Sequence, residues 1–257
     1  MRSVGEWHNE TMNIQTHLLP GAAYLLWMLH QLFPVRSNAN KEVDVGMLVI
    51  GFGSFFGFGA SALFHTMMCH SEDVAKICVR IDLLGVVVSL TSVSCTVIYH
   101  LYACEPDQRR ATFTRIGMLT VFLCFICSRK EFAHRRWRHV KPLPFVLLGC
   151  ALLHPMVCWA MEEHAYCSEG SASSFDTDDK AAVVHFLLAG WGLDAVAVAV
   201  FVSRIPERWS DMGRFDFVGN SHNIFHVLVV CASLCGLFAA ERAKQGQWCV
   251  CRAQQKP

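Results

Sequence analysis

The sequence predicts an all-α integral membrane protein with seven transmembrane helices, its amino terminus in the cytosol and its carboxyl terminus outside. Of 257 residues, 53% are hydrophobic and only 17% are charged, whereas ordinary soluble domains carry about 25% charged residues. The apolar residues come in long blocks, and about 20 consecutive mostly apolar residues suffice to cross a bilayer. Lys and Arg are also unequally shared between alternate connections, which sets the orientation.

The seven blocks run over 18–34, 44–68, 77–103, 115–128, 142–161, 181–203 and 221–240. The fourth is short and must borrow residues from its flanks. The fifth opens with Pro142 and Pro144, which suit the first turn of a helix. The division that follows is a short cytosolic segment over 1–17, a membrane domain over 18–240 and an outer tail over 241–257. The polar stretch before Leu18 lacks the basic start of a cleavable signal peptide, so the first helix is expected to be retained. Gly51, Gly53, Gly57 and Gly59 suit close approach between helices in lipid.

With the amino terminus inside, 12 basic residues fall in cytosolic segments and 6 in outer loops, with four more in the outer carboxyl tail. The contrast is sharpest between two neighbouring connections. The fourth-to-fifth holds Arg129, Lys130, Arg135, Arg136, Arg138 and Lys141; the fifth-to-sixth holds one basic residue against six acidic ones. The sequon Asn9-Glu10-Thr11 then lies in the cytosol and is expected to carry no glycan. A net charge of +1 argues against a nucleic-acid partner. Of 13 cysteines, Cys95, Cys124, Cys150, Cys231 and Cys235 sit inside apolar blocks, where buried thiols pack as small hydrophobes. Cys104, Cys167, Cys249 and Cys251 fall outside, where a disulfide is compatible with the compartment.

Polar groups inside a membrane are costly and mark function by default. On this topology the second span ends, and the third and seventh begin, at the cytosolic face. His65 lies near the end of the second span, with Ser61 one turn earlier on the same face. His222 and His226 are spaced i, i+4 at the start of the seventh, and Asp82 lies in the first turns of the third. Five polar residues from three helices thus meet at one depth. Three imidazoles with an open fourth position are the donor set of a catalytic zinc site. In such a site Asp82 would serve as a general base or outer partner, and Ser61 would orient water or stabilise an oxyanion. A hydrogen-bonded cluster that only fixes helix packing, or a proton relay, fits the same residues. Asp194, inside the sixth span, is expected to be hydrogen-bonded or protonated, or to line a substrate cavity. The acidic stretch from Glu162 to Asp179 reads as a solvated outer loop. His8, His30, His100, His134, His139, His154, His164 and His185 are scattered and read as surface or packing residues.

Four stretches together resemble the progestin and adipoQ receptors, a family that includes the adiponectin receptors and the hemolysin III proteins. Glu10 through His17 resembles an ExxNxxTH motif ahead of the first span. Ser61 through Thr66, followed by Cys69-His70-Ser71-Glu72, resembles an SxxxH segment, and Asp82-Leu83-Leu84-Gly85 a DxxG segment. Arg204 through Arg208, Phe215-Asp216 and Ser221 through His226 resemble the closing signature. The similarity is greatest to the adiponectin-receptor branch. Two features depart from it: Trp209-Ser210-Asp211-Met212-Gly213 replaces a shorter Pro-Gly turn, and the segment ahead of the first span is expected to be short, without the long extension of the animal receptors.

The resemblance implies an inverted seven-span fold, receptor signalling and ceramidase-type amide hydrolysis. It places Zn2+ on His65, His222 and His226, with Asp82 and Ser61 as catalytic residues. The expected substrate is a ceramide-like membrane lipid, the product a free fatty acid, and an extracellular ligand is an expected partner. The alternative is a non-catalytic signalling receptor in which zinc is structural; a transporter or proton relay is a third. The expected location is a multi-pass position in the plasma membrane or an endomembrane.

Overall fold

The computed structural model describes residues 7–33, 43–133, 140–161, 174–211 and 213–254. These form eight α-helices and no strand among the described residues: α1 (Thr11–Leu32), α2 (Val45–Met67), α3 (Glu72–Leu101), α4 (Pro106–Ser128), the single turn α5 (Lys130–Ala133), α6 (Pro142–Met161), α7 (Ser174–Ser203) and α8 (Ser221–Gln254). Seven of them are long. Six are long and apolar enough to cross a membrane. The seventh, α1, is 22 residues long but begins with Asn13, Gln15, Thr16 and His17, which dilute its apolar character.

The start signals act through simple chemistry. Asp44 accepts the Met47 amide at 3.1 Å and so caps α2. Ser71 accepts the Val74 amide at 3.3 Å at the head of α3, where Glu72 and Asp73 add favourable negative charge. Pro106 and Pro142 open α4 and α6, where a missing amide costs nothing.

The helix ends differ from the expected blocks in both directions. The fourth span indeed borrows from its flank: α4 begins nine residues before 115 and takes in Arg109 and Arg110. Helix α8 continues to Gln254, well past 240, because Ala239, Ala240 and Ala243 remain packed against the bundle. Apolar content does not mark where such a helix stops.

Helix α3 runs through the middle of the bundle and touches α2, α4, α6 and α8. Its core contacts include Val87, Val97 and Ile98, which pack with Met47, Ile50, Leu148 and Leu152. Tyr102 closes one end of that core by donating to the Pro155 carbonyl at 2.7 Å. On α2, Gly53 and Gly57 face α3 and Gly51 faces Trp27 and Met28 of α1. Gly59 differs from expectation: nothing lies within 4 Å of where its Cβ would stand.

The outside of the bundle is covered by large apolar side chains such as Leu19, Leu26, Phe52, Val121, Phe122, Phe125, Leu147 and Leu188. In water a continuous surface of this kind would drive association; in lipid it is the favoured exterior. The protein is a multi-pass integral membrane protein. Cys150 and Cys231 belong to this outer face rather than to the interior, contrary to the packing role expected for them. Cys167 and most of the acidic 162–179 stretch lie outside the described residues.

Candidate metal centre

The end of α2 and the starts of α1, α3 and α8 meet at one end of the bundle. His65 occupies the last turn of α2 and is 5% exposed, and His226 in the second turn of α8 is 1% exposed. His222 lies one turn before His226 and is partly buried. The His65 ring centroid is 5.1 Å from those of His222 and His226, which are themselves 4.5 Å apart. One ligand-type nitrogen from each of the three lies within 4.8 Å of the others. The sequence-derived trio therefore converges.

Hydrogen bonds decide which nitrogens face inward. Nδ1 of His65 meets Glu10 Oε2 at 2.8 Å, and Nδ1 of His226 meets Thr16 Oγ1 at 3.1 Å. The Thr16 hydroxyl is already donating to the Met12 carbonyl at 2.7 Å, so it accepts from His226. Carboxylate and hydroxyl oxygen both take an Nδ1 proton, which leaves Nε2 of each ring with its lone pair turned to the centre. His65 Nε2 and His222 Nε2 lie 3.2 Å apart, a spacing that suits two donors on one cation. The three histidines can hold a metal ion.

Ser61 is buried one turn before His65. Asp82 of α3 lies close enough to Ser61 and His65 to interact with both. All five residues singled out in the sequence thus belong to one neighbourhood, with Asp82 beside the histidine trio rather than within it.

The first turns of α1 complete the site, a part that spacing alone did not assign. The His17 ring stacks on that of His226, centroids 3.7 Å apart and planes 5° apart. Asn13 donates to Glu10 Oε2 at 2.8 Å and accepts from Asn223 Nδ2 at 2.6 Å. The hydrogen bond from His65 holds the Glu10 carboxyl below its usual value, against the opposing effect of partial burial. Asn13, His17, Gly21 and Tyr24 form the buried face of α1 and recur at helical spacing. That periodicity was visible, but the apolar run begins only at Leu18, so Asn13 and His17 read as part of the segment ahead of the first span.

The loop before α8 fixes its first turn. Glu207 accepts the Ser221 amide at 2.7 Å and also bonds the Ser221 hydroxyl. Burial would raise the Glu207 carboxyl, but the two Ser221 bonds outweigh it and hold the group low. Phe201 of α7 packs against His222 and Phe225, closing the side away from α1. Asp194 does not join the site. It is half-buried on α7 near Cys235, about two and a half turns of α8 beyond His226.

Residues 5–237 match the haemolysin-III-related family. Among curated proteins, the chain is 28% identical to the ADIPOR-like receptor IZH1 of Eremothecium gossypii over 91% of this chain and 72% of that protein. It is 26% identical to the heptahelical transmembrane protein ADIPOR1 of Oryza sativa subsp. japonica, over 93% of this chain and 74% of that one. The adiponectin receptor protein of Drosophila melanogaster is 25% identical over 90% of this chain, which spans only 50% of that receptor.

Proposed function

The chain belongs to the haemolysin-III-related family, and on that premise we propose that it is an adiponectin-receptor-like membrane protein whose histidine trio holds zinc and hydrolyses a lipid amide of the ceramide type. The observation that carries the reading is the convergence of His65, His222 and His226 with Asp82 and Ser61 beside them. Three imidazole nitrogens with an open position are the donor set of catalytic rather than structural zinc. When bound, zinc would supply Lewis acidity to a carbonyl and acidify water toward neutral pH.

The chain's own residues supply the rest. Asp82 accepts the proton of the attacking water as general base. Ser61, next to Asp82, donates its one hydroxyl proton to oxygen where negative charge develops. A two-chain lipid enters from the bilayer between helices with its amide at the depth of the histidines. The products are a sphingoid base and a free fatty acid. The excess of Lys and Arg in alternate connections supports an amino terminus in the cytosol, which puts this end of the bundle at the cytosolic face. An extracellular ligand acting at the opposite end is the expected partner.

The relatives' names favour a second reading, a signalling receptor in which the metal is structural and couples α2, α3 and α8. Purified protein assayed for ceramide cleavage separates the two. The hydrolase reading expects turnover that is lost in Asp82→Asn while zinc is retained. A zinc-loaded wild type without turnover favours the receptor.

A further inference from the structure

Each histidine that faces the centre needs its other nitrogen held, and His226 and His65 are held unequally. His226 has a neutral hydroxyl, Thr16, at 3.1 Å. His65 has a carboxylate, Glu10, at 2.8 Å. Glu10 lies just ahead of α1, outside the apolar part of the chain, yet its side chain is only 18% exposed. The same Oε2 receives a second hydrogen bond from Asn13, whose carbonyl oxygen is held in turn by Asn223. Asn223 follows His222 directly and is itself anchored, accepting the Gly219 amide at 2.9 Å. An unbroken polar chain therefore runs from the α2 histidine, through the head of α1, to the segment carrying the α8 histidines.

We infer that Glu10 is a positioning residue for the metal site: its carboxylate fixes the Nδ1-protonated tautomer and ring orientation of His65 and thereby sets how tightly the trio holds a divalent cation. The inference rests on the metal-site reading above and deepens it. A carboxylate behind a metal-binding imidazole holds the ring, makes its free nitrogen more basic and offsets the charge of the cation. Without Glu10, the His65 ring is free to exchange tautomers and turn about its side-chain bonds. The amino-terminal segment then has a defined task, which is to set the affinity of a site whose ligands it does not supply.

The test uses the full chain in nanodiscs, stripped of metal, titrated with Zn2+ against a chromophoric chelator and with Co2+ followed by its visible spectrum. Glu10→Gln keeps the shape and the Asn13 contact but removes the charge. It is expected to raise the Zn2+ dissociation constant about 10–100-fold and to change the Co2+ spectrum, while the metal-free melting midpoint stays at the wild-type value. Glu10→Asp, which keeps the charge at a shorter reach, is expected to recover part of the affinity. Wild-type affinity and spectrum in Glu10→Gln overturn the inference, as does an affinity loss matched by a fall in metal-free stability. A second measurement needs no variant. In metal-free wild type labelled with 15N-histidine, His65 is expected to carry its proton on Nδ1, and a proton on Nε2 overturns the inference. A wild type that takes up neither Zn2+ nor Co2+ defeats the metal reading itself, and the His65 tautomer then still decides the role of Glu10.

Discussion

The rings of His17 and His226 form a parallel stack between α1 and α8, 3.7 Å between centroids. His17 is 5% exposed, and neither of its ring nitrogens is in hydrogen-bonding geometry with a partner among the described residues. It therefore contributes shape to the site and bears the cost of two unsatisfied polar atoms. Replacing a buried unsatisfied polar group by an apolar one of similar shape is neutral or stabilising. His17→Phe is expected to leave the metal-free melting midpoint unchanged or raised. His17→Ala, which opens a cavity beside His226, is expected to cost about 2–4 kcal/mol. Equal destabilisation by the two substitutions would show that the His17 nitrogens are in use.

Glu207 caps the helix that supplies two of the three inward-facing histidines, through the Ser221 amide and hydroxyl. Glu207→Ala is expected to cost about 1 kcal/mol, as loss of a helix cap does. Because the frayed turn would include His222, metal affinity is expected to fall as well. Thermal unfolding with and without Zn2+ checks this, and the metal-loaded protein should show the larger loss.

The glycines of α2 give a pair of opposite outcomes on one helix. A Cβ at Gly57 would stand 2.8 Å from the Ser89 Cβ and 3.0 Å from the Gly85 carbonyl, so α2 and α3 would have to separate. Gly57→Leu is expected to destabilise by about 1–3 kcal/mol. Gly59 faces open space, and Gly59→Ala is expected to be neutral or to stabilise by about 0.5–1 kcal/mol through helix propensity. Unfolding curves in detergent measure both.

At the opposite end of the bundle, Asp44 caps α2, pairs with Lys244 of α8 at 3.1 Å and lies 3.6 Å from His100 of α3. Burial alone would raise its pKa. The Met47 amide, His100 and Lys244 together outweigh burial and hold it below its ordinary 3.8. A carboxyl lowered in the folded state adds stability that is complete above 3.8 and is lost as pH falls through the folded value. Wild type is expected to lose melting temperature in that acid range, while Asp44→Asn starts lower at neutral pH and loses less on acidification. Parallel curves for the two would remove Asp44 from the account.

The fold was legible because lipid imposes one rule on every span, an apolar exterior, and that rule leaves long unbroken blocks. The ends of α4 and α8 were not, since Arg109, Arg110 and Lys244 continue a helix that hydropathy alone would stop. In the site, His222 and His226 were legible from their i, i+4 spacing, and His65 and Asp82 from the antiparallel order of spans. Glu10, Asn13, Thr16 and His17 were hidden as a working part of the site because α1 starts polar, and its helical stripe of buried polar groups makes sense only beside α2 and α8. Gly59 shows the same gap at the level of one residue: its helix is predictable, but the direction in which its missing side chain would point is not.

Metal content tests the central claim most directly. Purified without chelators, the wild-type chain is expected to carry about one zinc ion per molecule, held by three nitrogen donors. His65→Ala and His222→Ala, each still folded by circular dichroism, are expected to retain little or none. A wild type free of zinc, or a zinc content that survives loss of either histidine, would contradict the account.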